Sequence, residues 1–83
     1  MSFEKTSLIN IEKKFNEFGA SKPTMWWEHG VLWADYPNKD EVNLIKEGLE
    51  DSLAPGFKVG VSCLKATKTE PWDQYAFDIM EDK

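Results

Sequence analysis

The sequence predicts an α+β domain in which a four-stranded antiparallel sheet, made of two hairpins, carries two helices on one face. Two observations lead to this fold class. Apolar residues recur with helical spacing in two segments, and each segment is followed by a pair of strand-like runs. The element order is therefore α-β-β-α-β-β. With 83 residues the chain has room for one domain, residues 1–83, whose ends at about 1–4 and 81–83 we expect to be frayed.

The first half begins with a helix over about residues 6–18. Apolar residues at positions 8, 11, 15 and 18 are separated by steps of three, four and three, which place them on one helical face, and Gly19 offers a left-handed stop. Residues 24–27 and 31–36 then form two β-rich runs around a turn that contains Gly30. This stretch predicts the first hairpin.

The second half repeats that order. Helical spacing returns over residues 40–53, with Val42, Ile45, Leu49 and Leu53 on the expected core face, and Pro55-Gly56 ends the helix. Two alternating runs follow and predict the second hairpin. Their apolar positions are Phe57, Val59, Val61 and Cys63 in one run, and Tyr75, Phe77 and Ile79 in the other. The pattern leaves the order of the strands open.

The first hairpin carries an unusual pair of tryptophans. If His29-Gly30 is a two-residue turn, Trp26 lies opposite Trp33 on the face away from the core. Glu28 and Asp35 share that face. A three-residue turn, 28–30, would instead pair Trp27 with Val31. Two interpretations remain open: the outer tryptophans pack over the small residues Gly60, Ser62 and Ala76, or they form an exposed platform for a partner.

The negative charge is concentrated after the first hairpin. Residues 1–34 hold four acids and four lysines, whereas residues 35–83 hold eleven acids and six lysines, and the chain has no arginine. On the second helix, Asp40, Glu47 and Asp51 fall on the far side from the core, with Leu44 among them as a predicted exposed apolar residue. Further acids surround the last strand: Glu70, Asp73, Asp78, Glu81 and Asp82. Together they favour a basic partner, although a net charge of −5 is modest beside that of a nucleic-acid duplex.

The residues that usually carry chemistry are scarce. His29 is the single histidine and falls at a hairpin tip, and Cys63 is the single cysteine and alternates with core positions, which predicts a small buried side chain. No glycine-rich phosphate loop and no metal-binding spacing occurs in the sequence. We therefore expect no catalytic residues, no cofactor and no metal site.

These patterns predict a non-enzymatic, acidic protein-interaction module. We expect an inhibitor that binds a basic protein, such as a nuclease or other nucleic-acid-handling enzyme, in the manner of small viral or mobile-element anti-defence proteins or of a nucleic-acid mimic. Two other classes stay open: an apolar small-ligand or peptide-binding module, and an accessory subunit of a larger complex. We expect a cytoplasmic monomer or homodimer that binds neither nucleic acid nor membranes. The predicted partner-binding residues are Trp26, Trp33, Glu28, Asp35, Asp40, Leu44, Glu47 and Asp51.

Overall fold

The computed structural model describes residues 2–69, 71 and 73–82 and has the α-β-β-α-β-β order expected from the sequence. Its strands form one antiparallel sheet in the order β1-β2-β4-β3, and both helices pack on one face of that sheet. The predicted α+β fold class is confirmed. The elements are α1 (Phe3–Phe18), β1 (Met25–Glu28), β2 (Val31–Asp35), α2 (Lys39–Ser52), β3 (Phe57–Leu64) and β4 (Gln74–Glu81).

Both helices begin at polar caps. Helix α1 starts three residues before the expected position because the Ser2 hydroxyl accepts a hydrogen bond from the Lys5 N–H, at 3.3 Å. It ends where Gly19 takes a φ of 83° and donates its N–H to the Phe15 carbonyl. Helix α2 begins with a capping box: the Asn38 side chain accepts from the Glu41 N–H, and the Glu41 carboxylate accepts from the Asn38 N–H. Both helix starts are therefore fixed by their own sequences.

The turn of the first hairpin has two residues. His29 and Gly30 both have positive φ, at 52° and 77°, which is the type I′ geometry that matches the twist of paired strands. Glu28 consequently pairs with Val31, and Trp26 with Trp33. The two-residue register is confirmed and the three-residue alternative is wrong.

The core lies between the helices and the face of the sheet that they cover. Each large apolar side chain that is buried there contributes about 1.5–3 kcal/mol to the stability of the fold. The fully buried members come from α1, α2, β2 and β4, and they include Ile11, Phe15, Leu32, Ile45, Leu49 and Phe77.

The helices touch each other closely at their crossing point. Gly48 of α2 is buried against Ile11 of α1. Near this contact the Asn10 amide donates to the Ser52 hydroxyl at 2.7 Å, and that hydroxyl donates to the Gly48 carbonyl at 2.9 Å. Helix α2 is thus covered on two sides, by the sheet and by α1.

That second contact explains one error of the sequence analysis. Leu44 was expected to be exposed, but only 8% of it is accessible, because it lies one turn before Gly48 and joins the core cluster. A helical-wheel projection with one apolar stripe assigns the side of α2 that faces α1 to the solvent-exposed surface. Leu44 is therefore a packing residue and is removed from the candidate interaction surface.

Strand β3 departs from the sequence expectation in a different way. Its alternation places Phe57, Val59, Val61 and Cys63 on the helix-covered side, as expected, but only Val59 packs against the core. Phe57, Val61 and Cys63 are exposed. The reason is that β3 is an edge strand of the sheet, and the exposure of its residues shows that the helices do not cover most of it. The prediction that Cys63 is buried is wrong.

Candidate protein-interaction surface

The face of the sheet opposite the helices, here called the outer face, carries the tryptophan pair. Trp26 and Trp33 are direct cross-strand partners, and both are half-buried. The Trp26 indole N–H donates to the Glu28 carboxylate at 3.4 Å, which holds that ring along the strand. Trp33 pairs on its other side with Ala76, which in turn pairs with Ser62. The two tryptophans therefore lie at one end of a cross-strand row, and the small residues Ala76 and Ser62 follow them toward β3.

The tryptophans are not the only large side chains near the small residues of this face. The side chain nearest to Gly60 is that of Met80. Met80 and Leu64 are themselves 39% and 44% exposed, and Val31 is half-buried beside the tryptophan pair. Within the described residues, this layer has no element packed over it, so the outer face combines aromatic and aliphatic side chains at a sheet surface.

Carboxylates are distributed among these apolar groups. Strand alternation places Glu28, Asp35 and Asp78 on the outer face, and the one cation that the described strands add to it is Lys58. Asp35 accepts a hydrogen bond from the Gln74 amide at 3.0 Å, which links β2 to β4 across the face. The four predicted residues of the first hairpin, Trp26, Glu28, Trp33 and Asp35, are thus brought together.

The predicted acids of α2 lie elsewhere. Asp40, Glu47 and Asp51 are exposed, but they belong to the helix layer, so the sheet separates them from the outer face. Asp51 also forms an ion pair with Lys14 of α1, at 3.0 Å. This hydrogen-bonded contact, helped by the charge of Glu47, raises the pKa of the Lys14 ammonium above its usual value. One flat partner surface cannot contact both groups.

The acids near the last strand are likewise divided. Asp73 accepts from the Ala66 N–H at 2.9 Å and lies 3.8 Å from the Lys65 ammonium, so it stabilises the loop before β4. Asp78 lies on the outer face, and Asp82 follows the strand. Glu70 lies outside the described residues. These acids do not form one continuous row, which weakens the nucleic-acid mimic as a geometric model.

The two groups with potential reactivity are placed as follows. His29 is at the exposed hairpin tip, with its Nε2 atom 3.9 Å from the Glu28 carboxylate. Cys63 is exposed and lies opposite Tyr75 in the β3–β4 pairing. A hydrogen bond with Cys63, and then the negative charge that the thiol can acquire, raise the pKa of the Tyr75 phenol. His29 and Cys63 lie on different hairpins.

The described residues contain no cluster of three or more histidine, cysteine or acidic side chains arranged to hold a metal ion. No helix among them has the length and apolar character needed to cross a membrane.

Comparisons with protein families, with curated proteins and with solved structures find no match to this chain. The described residues form a two-layer α+β domain, and none of their elements covers the outer face of the sheet. The residues that the sequence analysis missed on that face are Val31, Leu64 and Met80. Their alternation with known strand positions was visible in the sequence, but the strand order that puts them beside one another was not.

Proposed function

We propose that this chain is a non-enzymatic protein-interaction domain that binds a basic protein through the outer face of its sheet. The observation that carries the proposal is the half-exposed Trp26–Trp33 pair on a sheet face without a covering layer among the described residues. Tryptophan is enriched among the residues that dominate binding energy at protein interfaces. The pair therefore supplies the anchor, and Met80 and Leu64 extend the apolar contact.

The pair is suited to this role because its backbone is fixed and the Trp26 ring has a side-chain hydrogen bond. A backbone hairpin with a type I′ turn positions both strands, and Glu28 fixes the Trp26 indole. Binding loses affinity when flexible side chains must be ordered on contact. The restraint on the Trp26 ring reduces that loss.

The charges on the same face select the partner. Glu28, Asp35 and Asp78 surround the apolar centre, with Lys58 as the opposing charge. Complementary lysines or arginines on a partner would raise the association rate and exclude acidic proteins. A stacking platform for single-stranded nucleic acid needs cationic surroundings, whereas the described strands give this face three carboxylates and one lysine. A basic protein fits the face better than a nucleic acid does.

This charge preference leads to the finer part of the proposal, that the chain inhibits a basic nucleic-acid-handling enzyme such as a nuclease. The net charge of −5 supports attraction toward such an enzyme at long range. Asp40, Glu47 and Asp51 contribute to that attraction without contacting a partner docked on the outer face. Inhibition would follow from occupation of the enzyme's basic groove by the outer face.

The first test compares variants on the outer face with a matched variant in the helix layer. Proteins captured from a cell lysate by the wild-type chain are identified by mass, and the candidate is purified for binding measurements. We expect Trp26→Ala and Trp33→Ala each to weaken binding of that protein at least about tenfold. Phe18→Ala is the matched control, because it removes an aromatic ring that is 58% exposed at the end of α1, in the helix layer. An equal loss in Phe18→Ala, or no loss in either tryptophan variant, would disprove the proposed surface.

The second test concerns charge. Glu28→Gln with Asp78→Asn removes two acids from the outer face, and Asp40→Asn with Glu47→Gln removes two acids from α2. We expect the first pair to slow association more than the second at low ionic strength, with the difference shrinking as salt screens the charges. If both pairs have the same effect, the outer face does not select the partner by charge.

A second copy of this chain is the competing occupant of the outer face. Sedimentation over a range of protein concentrations distinguishes the two cases. We expect a monomer whose tryptophan fluorescence is quenched by acrylamide. A concentration-dependent dimer in which Trp33→Ala abolishes association would assign the face to self-assembly instead.

A further inference from the structure

An open apolar cavity of ≈ 420 Å³ lies on the helix-covered side of the sheet, at the end where α1 begins and α2 ends. Pockets that bind small molecules have volumes of roughly 300–1,000 Å³ and mostly apolar walls. This cavity falls within that range. The apolar side chains that line it are Phe3, Trp27, Leu53, Ala54, Phe57 and Ile79.

The aromatic wall of the cavity is held by two contacts. The Phe3 and Trp27 rings meet edge to face, with centroids 5.8 Å apart and planes at 80°. The Trp27 indole N–H donates to the Glu4 carbonyl at 3.2 Å, so its hydrogen-bonding requirement is met within the wall. The cavity therefore presents preformed aromatic surface, which favours an aromatic ligand.

The charge around the cavity narrows the ligand class. Among the described residues that line the cavity, Glu4 alone is charged, and the adjoining depression beyond Phe57 contains Glu50, Asp82 and Lys58. The N-terminus of α1 and the C-terminus of α2 both border the cavity, and their dipoles have opposite signs and offset each other. The remaining carboxylates disfavour an anion and favour a cation.

We propose that this cavity binds a small aromatic molecule that carries a protonated amine. Its ring packs against Trp27 and Phe57, and its ammonium group faces Glu4. Attraction between a cation and the indole face adds to the ion pair. The site is independent of the proposed partner surface, since Trp26 and Trp33 lie on the opposite side of the sheet.

The test uses three probes with the same bicyclic ring and different charges: 1-naphthylmethylamine, 1-naphthalenemethanol and 1-naphthoate. Binding is followed at neutral pH by two-dimensional NMR of the intact chain, at the Trp27 indole N–H and the Gly30 amide, because both residues belong to the cavity lining. We expect saturable shifts with affinity in the order amine, alcohol, carboxylate. Glu4→Gln should remove the advantage of the amine over the alcohol, which we expect to be about two- to fivefold.

A cavity-filling variant controls for binding elsewhere. Ala54 is exposed, so Ala54→Trp should place a ring in the cavity without disturbing the core, and Ala66→Trp adds the same ring to an exposed loop. We expect the dissociation constant of the amine to rise at least about tenfold in the first variant and to stay unchanged in the second. Circular dichroism confirms that both variants fold.

Several results would overturn the proposal: no probe binds at millimolar concentration, naphthoate binds as tightly as the amine, or Ala54→Trp binds like the wild type. If the probes fail and Ala54→Trp instead weakens partner capture, the cavity belongs to a protein interface. Trp26→Ala should leave binding of the amine unchanged, so failure of the partner surface and failure of the cavity can be told apart.

Discussion

Gly48 of α2 lies directly against the backbone of Ile11 in α1, and this contact sets the distance between the two helices. A Cβ at position 48 would be 2.7 Å from the Ile11 Cα atom and 2.8 Å from its amide nitrogen. A change of rotamer cannot relieve contacts with backbone atoms. The helices can approach this closely only because position 48 has no side chain.

Gly48→Ala should therefore destabilise the fold, although alanine is the better helix former by about 1 kcal/mol. We expect a loss of about 1–3 kcal/mol in the free energy of unfolding, from overpacking at the crossing point. Gly60→Ala is the matched control, because its new methyl group would meet the flexible end of Met80. Urea unfolding of both variants is the measurement. Equal stability of Gly48→Ala and the wild type would show that the helices separate without cost.

Leu44→Glu should act on folding rather than on recognition. Because Leu44 is buried in the core cluster, a carboxylate there loses hydration without gaining a partner, and we expect a loss of about 3 kcal/mol or more. Ile9→Glu makes the same change at an exposed position of α1 and should alter stability by less than about 1 kcal/mol. Thermal unfolding compares the two variants. A fully stable Leu44→Glu protein would contradict the packing described here.

The start of α2 depends on one amide side chain. Asn38→Ala removes the acceptor for the Glu41 N–H and breaks the capping box, which should lower stability by about 1 kcal/mol. Asn43→Ala, at an exposed position inside the same helix, should be neutral or slightly stabilising. Both values come from urea unfolding. If Asn43→Ala costs as much as Asn38→Ala, the cap is not the cause.

The titration of Tyr75 reports on Cys63. In a Tyr36→Phe background, Tyr75 is the single tyrosine, and its ionisation can be followed by ultraviolet absorption. We expect its pKa to lie above the usual value of about 10 and to fall when Cys63→Ala removes the hydrogen bond and the neighbouring charge.

The raised pKa of Tyr75 also determines how this residue makes the free energy of unfolding depend on pH. Below about pH 10 the phenol is protonated in both the folded and unfolded chains, so its stabilising effect is fully present. The effect is lost as the pH rises through the raised pKa of the folded state. An identical titration with and without Cys63 would show that the two side chains do not interact.

Local patterns predicted most of the fold because they act over a few residues. The helical spacing around Ile11 and Ile45, the stop at Gly19 and the turn at His29-Gly30 each depend on near neighbours in the chain. The sequence placed the start of α1 too late because its apolar spacing begins at Leu8, whereas the helix begins at the Ser2 cap. Gly48 was also missed, although a glycine inside a helical pattern often indicates close packing.

The candidate surface was less predictable because it depends on the order of the strands. Alternation shows that Val61 and Cys63 face the helix side, but it does not show whether a helix covers them. Likewise, the sequence placed Trp26 and Asp51 on outward positions without indicating that the sheet lies between them. Distances between elements, rather than patterns within them, decide which side chains can meet one ligand.

The position of β3 has a consequence for the protein in solution. It is one of the two edge strands, it is eight residues long, and Lys58 is its one charged residue, so it offers a longer hydrogen-bonding edge to another chain than the four-residue β1 does. At neutral pH, mutual repulsion between molecules of charge −5 opposes such stacking, but this repulsion vanishes near pH 4.8. Solubility should pass through a minimum there, and light scattering should detect aggregates whose infrared amide absorption shows added β-structure if β3 is the joining edge.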